Sequence, residues 1–556
     1  MGVFACLKRT MLLAVSLLSV SLFAKDYPST FEKAFRALQK GDTKEILKVY
    51  QKDADKERDK DKLLCQYELA SMYQMLGDPK TSTQWFAQAD DLAHVYEGRA
   101  VVSGNTVART AGSLLTSDKI LMYEGAGFEK VMSRTLDAIN YLLISDLEGA
   151  RVEIRKAEEY QELERTRHQK EIAAAEEKQA TDSAQKEAAE QASSNPMLQQ
   201  QLGPMANYAS KVRSSFENAY TYYLSGLVYE AAGGPDAIND AHIDFKKAYD
   251  LAPDSPAVRQ AYLDSARLFD AKEYQQLSQQ LDLGAVNRPQ DSAVVTVLFE
   301  QGLIPQKHEL RLDLPVPVAN RAQIVPLAFP VYNPAEQSPM APLTIKDGDI
   351  NYTTAPLLDM RPIAVKALME KLPGIITRAI ARGTAKTAVE SNVEQRAGGF
   401  AGLVAKVWAV ASTRADLRGW YSLPAEVEAA RIYLPPGSHQ LEFVEPEFSD
   451  RITLDAVPRG SYLFVVRAAK GYHRILQAVL NSSHSEPAVG GGYGTQAPRA
   501  VLSTGAATGE SQPAEAPSSN STPAPLSSQS KDEARPKAGP NFQEEPTMES
   551  THGIAR

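Results

Sequence analysis

The chain has 556 residues, with 60 Lys and Arg against 69 Asp and Glu, a formal net charge of −9 and 43% hydrophobic residues. This length predicts two to four domains, and a mean hydropathy of −0.32 argues against a protein that crosses a membrane many times. Because there is no basic surplus, nucleic-acid binding is not expected.

Residues 1–24 have the pattern of a secretory signal peptide. Lys8 and Arg9 precede an apolar, serine-containing run from Met11 to Ala24, which is too short to span a bilayer. We expect cleavage after Ala24 and a periplasmic location; the alternative is an uncleaved N-terminal anchor. Cleavage would remove Cys6 and leave Cys65 without a partner for an internal disulfide, so Cys65 is expected to be a buried hydrophobe.

Residues 25–285 predict a helical domain with an internal repeat. Small and aromatic residues recur at the spacing of a tetratricopeptide repeat, and residues 31–50 fit a degenerate first copy. The three clear copies consist of Ala70, Tyr73, Ser82, Phe86 and Ala89; of Ala138, Tyr141, Ala150, Ile154 and Ala157; and of Gly226, Tyr229, Ala241, Phe245, Ala248 and Pro253. Such a solenoid leaves a concave binding groove, whereas the alternative is a generic helical bundle.

Two segments interrupt this pattern. Residues 95–130 contain loop-like glycines and predict either a divergent repeat or a functional loop, of which residues 104–130 are the candidate part. Residues 165–215 are rich in Glu, Lys, Gln and Ala and predict a polar helix or a disordered excursion. The excursion is either a solvated face or a hairpin that touches a partner.

Residues 286–484 predict an α+β domain with a small antiparallel sheet, and residues 485–556 predict a disordered low-complexity tail. The strand segments are Ala293 to Phe299, His308 to Leu314, Ile324 to Val331, Leu343 to Ile345, Arg431 to Leu434, Leu441 to Val444, Ile452 to Leu454, Ser461 to Val466 and His473 to Val479. Between them, Pro362 to Glu390 predicts an amphipathic helix kinked at Pro373-Gly374. Residues 397–412 predict a short apolar helix, buried or interfacial.

The sequence contains no catalytic or metal-binding motif in a suitable context. It lacks His-Glu-x-x-His, a phosphate-binding loop flanked by a strand and a helix, a nucleophile elbow and Cys-x-x-Cys, and its eight histidines show no metal-ligand spacing. We therefore expect no cofactor, no metal and no enzyme activity.

Two groups of residues are candidates for partner binding. Tyr220, Tyr222, Tyr223 and Tyr229 cluster on the third repeat, where tyrosines on the groove side would favour contact with a peptide or a glycan. His242 lies on a repeat helix and is expected on the concave face or the surface. The second group consists of Asp416, Arg418 and Trp420, which either lock helix to sheet or form a partner site.

Two motif blocks resemble a known family. Residues 97–165 and 413–439 are similar to a family of bacterial envelope tetratricopeptide-repeat proteins and lipoproteins, often encoded beside outer-membrane activators of penicillin-binding proteins. The residues that carry the resemblance are Glu97-Gly98-Arg99-Ala100-Val101-Val102-Ser103, Ala111-Gly112-Ser113-Leu114-Leu115, Tyr123-Glu124-Gly125, Phe128-Glu129-Lys130-Val131, Ala138-Ile139-Asn140-Tyr141-Leu142, Asp146-Leu147-Glu148-Gly149-Ala150-Arg151-Val152-Glu153, Thr413-Arg414-Ala415-Asp416-Leu417-Arg418-Gly419-Trp420, Leu423-Pro424-Ala425-Glu426 and Leu434-Pro435-Pro436-Gly437-Ser438-His439. The resemblance implies an envelope location and a non-catalytic role.

One feature departs from the family pattern. Family members commonly carry a lipobox cysteine after the apolar run, whereas here Cys6 precedes the run and Lys25 follows Ala24. This departure favours a soluble periplasmic form over a lipid-anchored one.

The leading hypothesis is a non-enzymatic periplasmic scaffold or adaptor that binds a protein or peptide partner through a helical-repeat groove. The family's gene neighbourhood suggests peptidoglycan synthesis or outer-membrane assembly. One alternative is a glycan-binding or glycan-modifying envelope enzyme, which needs carboxylates and His439 or His473 to converge in a pocket. Another is a membrane-associated factor that uses residues 397–412.

Overall fold

The computed structural model describes residues 27–56, 59–102, 121–177, 195–281, 291–318, 321–334, 340–397 and 414–481. The predicted signal peptide, the predicted tail and nearly all of the apolar stretch 397–412 lie outside these ranges, as do residues 104–120 of the candidate loop and residues 178–194 of the charged excursion.

The described residues form twelve helices. These are α1 (Tyr27–Gln39), α2 (Thr43–Ala54), α3 (Lys62–Met75), α4 (Pro79–Val102), α5 (Gly127–Leu143), α6 (Leu147–Glu177), α7 (Pro196–Ala209), α8 (Ala219–Ala232), α9 (Pro235–Leu251), α10 (Pro256–Phe269), α11 (Ala271–Gln280) and α12 (Met360–Ala397).

The predicted repeat is confirmed as three helix pairs, α3 with α4, α5 with α6, and α8 with α9. Short turns join the helices of each pair, as expected for antiparallel neighbours. A Cβ on Gly226 would lie 2.5 Å from the Phe245 ring, so α8 and α9 approach as closely as the spacing predicts. Most of the signature residues are buried, namely Ala70, Ser82, Phe86, Ala89, Ala138, Ala150, Ile154, Ala157, Gly226, Tyr229, Ala241, Phe245 and Ala248. Tyr73 and Tyr141 are half-buried and Pro253 is exposed.

The charged excursion begins as a continuation of the second repeat. Helix α6 runs unbroken through residue 177, well beyond the signature residue Ala157, and α7 begins at Pro196 with the Asn195 side chain accepting from Met197 N at 2.9 Å. The helical interpretation therefore holds for residues 165–177 and 196–209.

The strands are β1 (Ala293–Gln301), β2 (His308–Val318), β3 (Arg321–Val331), β4 (Thr344–Asp347), β5 (Ile350–Thr353), β6 (Ala355–Asp359), β7 (Glu426–Leu434), β8 (Gly437–Glu445), β9 (Phe448–Ala456), β10 (Ser461–Ala469) and β11 (Tyr472–Asn481). They form a five-stranded sheet in the order β11-β10-β1-β7-β6, a four-stranded sheet in the order β5-β4-β8-β9, and a β2–β3 ribbon.

The predicted small antiparallel strands are confirmed, but they form two sheets and a ribbon instead of one sheet, and one of the pairs is parallel. The four-stranded sheet and the ribbon are antiparallel, but β1 pairs in parallel with β10, so the five-stranded sheet is mixed. Periodicity shows which residues share a face of a strand and carries no information on strand direction. The long connection between β1 and β10 allows the parallel pairing.

The described elements pack in three layers: helices, the five-stranded sheet and the four-stranded sheet. Val295, Val297 and Phe299 of β1 belong to the core between the two sheets, whereas Leu298 belongs to the core shared with the helices. The helical part and the five-stranded sheet therefore share one hydrophobic core. The change from helices to strands still falls close to the predicted boundary at 285/286.

Helix α12 confirms the predicted amphipathic helix and continues through Pro373. The residues of its predicted apolar face are all buried, namely Ile363, Leu368, Leu372, Ile376 and Ile380.

Candidate functional site

The inner face of the helical array is covered by the chain's own sheet. We use "inner face" for the side of α3, α5 and α8 that does not pack on the second helix of each pair. Helices α5 and α8 contact β11, α8 also contacts β6, and α10 contacts β7. Residues 414–425, the docking segment, cover α3. The groove predicted from the repeat is therefore filled, along these contacts, by strands and by the docking segment of the same chain.

Trp420 anchors the docking segment. Its side chain is 1% exposed and stacks on Tyr67 of α3, with ring centroids 4.6 Å apart and planes 16° apart. The indole Nε1 donates to Ser71 Oγ at 3.0 Å and to Ser422 Oγ at 2.8 Å. Tryptophan combines a large apolar ring with one hydrogen-bond donor. Here the ring is buried and the donor is paired, both within the chain.

Glu129 joins the two motif blocks. Its Oε1 accepts from the Trp420 backbone N at 3.0 Å, and its carboxylate also accepts from the Tyr123 hydroxyl at 2.6 Å and from Ala126 N at 2.6 Å. The Tyr123, Phe128-Glu129 and Trp420 motifs thus meet at one carboxylate.

Arg418 closes the same junction. Its guanidinium donates to Asp416 at 2.6 Å, to Asp61 at 2.8 Å and to the Leu121 carbonyl at 2.9 Å. Burial would raise the pKa of Asp416, but the hydrogen-bonded Arg418 guanidinium holds it below its usual value. The structure therefore places Asp416, Arg418 and Trp420 in contacts that lock the docking segment to the helices, and Arg418 is only 3% exposed.

Glu68 lies beneath the docking segment and is fully buried. Its Oε1 accepts from the Tyr421 backbone N at 2.8 Å, while its Oε2 is buried without a hydrogen-bond partner. Burial raises the pKa of Glu68 to about 8, which the hydrogen bonds from Ser422 and Tyr421 only partly offset. The buried environment of Glu68 therefore favours its neutral, protonated form.

The tyrosines predicted for a groove surface are buried within the chain. Tyr220 and Tyr223 are 0% exposed, and the Tyr220 hydroxyl donates to Glu300 of β1 at 2.7 Å. Tyr222 lies beside Lys247, whose ammonium is 5.1 Å from the ring centroid, and Tyr229 is also buried. The prediction of an open groove at these residues is corrected, because the sheet occupies the space in front of α8.

Arg431 forms a second helix–sheet junction that the sequence analysis missed. Its side chain is 1% exposed and pairs with Glu230 of α8 at 2.6 Å and with Asp264 of α10 at 3.2 Å. The Tyr433 hydroxyl also donates to Asp264. The signal was present in the sequence, since Arg431 stands between apolar strand residues, and a charge inside a buried strand requires a partner.

His242 is buried rather than surface-exposed. Its Nδ1 lies 3.0 Å from Ser265 Oγ and its Nε2 lies 3.1 Å from Glu273 Oε2, while burial lowers the pKa of the imidazole. The ring stacks on Phe269, with centroids 4.7 Å apart.

Three exposed apolar side chains belong to this stack or directly adjoin its two residues in sequence. Phe269 is 48% exposed, Leu268 is 58% exposed and Ile243, which follows His242 on α9, is 43% exposed. We call these three residues the outer patch. Large apolar side chains exposed together mark an interaction surface more often than isolated ones do.

A cleft of about 260 Å³ opens at one end of the two-sheet core. Phe299, Met340 and Phe448 line it together with Glu445, Glu447 and His473. His473 pairs with Asp450 at 2.9 Å and stacks on Phe448, whereas His439 pairs with Asp347 at 2.7 Å. Of the two predicted histidines, the cleft thus includes His473.

Within the described ranges, no group of three or more His, Cys, Asp or Glu side chains could hold a metal ion. In the same part of the chain, no helix is both long enough and apolar enough to cross a membrane. Cys65 is confirmed as a buried free thiol whose pKa burial raises.

No protein-family model and no curated protein matches the chain. A solved structure described as the TPR2AB-domain:pHSP90-complex of yeast Sti1 is 15% identical, with a TM-score of 0.16, and the match covers 46% of this chain and 88% of that chain. Similarity of this degree identifies neither a fold nor a function, and the envelope-family resemblance stays a prediction.

Proposed function

We propose that this protein is a non-enzymatic scaffold or adaptor of the bacterial cell envelope that binds a protein partner on the outside of its helical array. The outer patch is the observation that carries the proposal. Because the inner face is covered by the chain's own sheet, a partner reaches the array from the other side. Peptidoglycan synthesis and outer-membrane assembly are the processes suggested by the resemblance.

The patch suits a protein partner in composition. An aromatic ring and two aliphatic side chains supply apolar area, and Lys246 and Glu273 lie near it, 3.8 Å apart, as a polar rim. Apolar anchors inside a polar rim are the usual anatomy of a protein interface.

Site-specific crosslinking in cells tests the proposal. A photoreactive residue at Phe269 or Leu268 is expected to capture one defined envelope protein, and Phe269→Asp is expected to abolish its co-purification. Val152→Asp is the matched control, because Val152 is a similarly exposed apolar residue, 47% exposed, on α6, which carries none of the patch residues. Loss of the partner with both variants, or with neither, would contradict the assignment.

Glycan binding is the second candidate function, favoured by the cleft. Aromatic side chains beside carboxylates suit a sugar, whose ring stacks and whose hydroxyls donate. Binding to purified peptidoglycan that is lost in Glu445→Gln together with Glu447→Gln would support this candidate. Equal binding by this variant and the wild type would remove it.

A further inference from the structure

Strand β9 is a long and regular edge of the four-stranded sheet, and no described strand pairs with its other side. It has nine residues, contains neither proline nor glycine, and pairs with β8 without a register shift. The other outer strands of the two larger sheets are short or irregular. Strand β5 has four residues, β6 contains Pro356 beside a register shift, and the β10–β11 ladder shifts between Ser461 and Tyr462. A regular open edge is where another strand adds most readily.

The backbone groups that face this edge belong to the exposed, alternate residues of the strand, namely Ser449, Arg451, Thr453 and Asp455. Glu445 and Phe448 close a two-residue hairpin, and the closing pair of such a turn is hydrogen-bonded. Hydrogen-bonded and non-hydrogen-bonded pairs alternate along an antiparallel ladder, so the odd-numbered residues of β9 direct their N–H and C=O away from β8. The Asp455 carbonyl accepts from the Tyr462 hydroxyl at 3.1 Å, which agrees with this direction and leaves the oxygen a second lone pair.

The exposed side chains of β9 carry one charge of each sign on the same face of the sheet. The Arg451 side chain is 72% exposed, and its contact with Glu442 of β8 at 3.4 Å is a surface ion pair, which holds the guanidinium weakly. Asp455 follows four residues later on the same face, and Thr453 lies midway between the two. A strand with this pattern is complementary in charge to an antiparallel copy of itself.

We propose that two copies of this chain pair through β9, antiparallel and about a two-fold axis, with Thr453 opposite the partner's Thr453. This register places Arg451 directly opposite the partner's Asp455, and Asp455 opposite the partner's Arg451. Centring the pair on Arg451 or Asp455 would instead place like charges opposite each other. Centring it on Ile452 or Leu454 would leave each charge opposite an uncharged residue.

The same register suits the buried face of the sheet. The two-fold axis runs through Thr453 perpendicular to the sheet, so the inner faces of both copies lie on one side and each stays covered by its own five-stranded sheet. Ile452 and Leu454, which are 3% and 2% exposed, then lie beside the partner's Leu454 and Ile452. Asp450, which is paired with His473 of its own chain at 2.9 Å, faces the small partner's Ala456. The pairing thus joins two four-stranded sheets without placing a buried charge opposite another charge.

Charge reversal followed by sedimentation velocity of the full chain tests the pairing. The wild type is expected to form a dimer whose proportion rises with concentration. Arg451→Asp and Asp455→Arg, each alone, are expected to raise the dimer dissociation constant by about tenfold or more, because like charges then face each other. The two substitutions together exchange the charges and are expected to restore the dimer. A wild type that stays monomeric, single reversals without effect, or a double variant that does not recover would each overturn the proposal.

Cysteine crosslinking tests the register, with Cys6→Ser in every variant. Thr453→Cys is expected to give a disulfide-linked dimer on oxidation, because the Cα atoms of a hydrogen-bonded pair lie about 5.5 Å apart. Ser449→Cys is the matched control, since Ser449 is exposed on the same face of β9 and this register separates its two copies by about 27 Å. Absence of crosslinking through Thr453→Cys, or equal crosslinking through Ser449→Cys, would overturn the register and the charge pairing that depends on it.

Discussion

The indole of Trp420 lies against the ring of Tyr67, 4.6 Å from centroid to centroid. This stack joins the docking segment to the first helix pair of the array, and Glu129 holds the Trp420 backbone beside it. The inner face of a repeat array is ordinarily its binding surface, and in this chain it is an interior surface.

Trp420→Ala is expected to lower the free energy of unfolding by about 3–5 kcal/mol, because it leaves a cavity beside Tyr67 and removes two hydrogen bonds. Trp420→Phe keeps most of the stacking and is expected to cost about 1–3 kcal/mol, mainly from the unpaired Ser71 hydroxyl. Urea unfolding monitored by circular dichroism measures both. Equal losses for the two variants would contradict the role assigned to the stacked ring, and an unchanged stability of Trp420→Phe would contradict the role assigned to Nε1.

Glu68→Gln is expected to change how stability depends on pH. Burial raises the pKa of Glu68 to about 8 in the folded chain, so folding takes up a proton between the unfolded pKa and that value. The stability contribution is complete below the unfolded pKa and is lost as the pH rises through the folded pKa. Each rise of one pH unit in this window lowers the free energy of unfolding by about 1.4 kcal/mol.

The comparison of Glu68→Gln with the wild type isolates this group from the other buried acids. The wild type is expected to lose stability relative to the variant between about pH 5 and pH 8, measured by urea unfolding at each pH. A stability difference that does not vary with pH would show that Glu68 is ionised in the folded chain.

Arg431→Met is expected to destabilise the protein by about 3–5 kcal/mol, because it leaves the Glu230 and Asp264 carboxylates without their cation. Adding Glu230→Gln and Asp264→Asn to Arg431→Met is expected to recover a large part of the loss, since the uncompensated charges are then gone. Thermal unfolding of the single and triple variants measures the effect. No recovery in the triple variant would indicate that packing, and not charge, dominates at this junction.

Two glycine substitutions are expected to act in opposite directions. Gly226→Ala places a Cβ 2.5 Å from the Phe245 ring and is expected to cost about 1–3 kcal/mol. Gly203→Ala lies within α7 with open space around it and is expected to stabilise the chain by about 0.5–1 kcal/mol. Differential scanning calorimetry compares them. Destabilisation of similar size at both positions would contradict the close packing of α8 on α9.

The sequence predicted the repeat and the position of most strands because both produce strong local patterns. Ala70, Phe86 and Ala89 recur at a fixed spacing, and their burial follows from helix packing alone. The strand from Ala293 was recognised because β-branched residues dominate it.

The covering of the inner face could not be predicted from periodicity. A buried face of Tyr220 and Tyr223 has the same pattern whether a partner protein or the chain's own sheet covers it. The meeting of Glu129 with Trp420 depends on contacts between distant parts of the chain, and no local pattern contains them. The parallel direction of β10 against β1 was missed for the same reason.

The pairing of β1 also sets the order in which the protein can fold. Helix pairs of a repeat array can form one after another as the chain emerges, but both strand neighbours of β1 lie much later in the chain, at Glu426–Leu434 and Ser461–Ala469. Such long-range pairing is slow because the intervening loop must close first. Until residue 481 has emerged, the apolar inner face lacks part of its cover, because β11 lies on α5 and α8, and it is exposed to aggregation. We therefore expect a chain truncated before β10 to need chaperones that bind exposed apolar surface, even when its helices form normally.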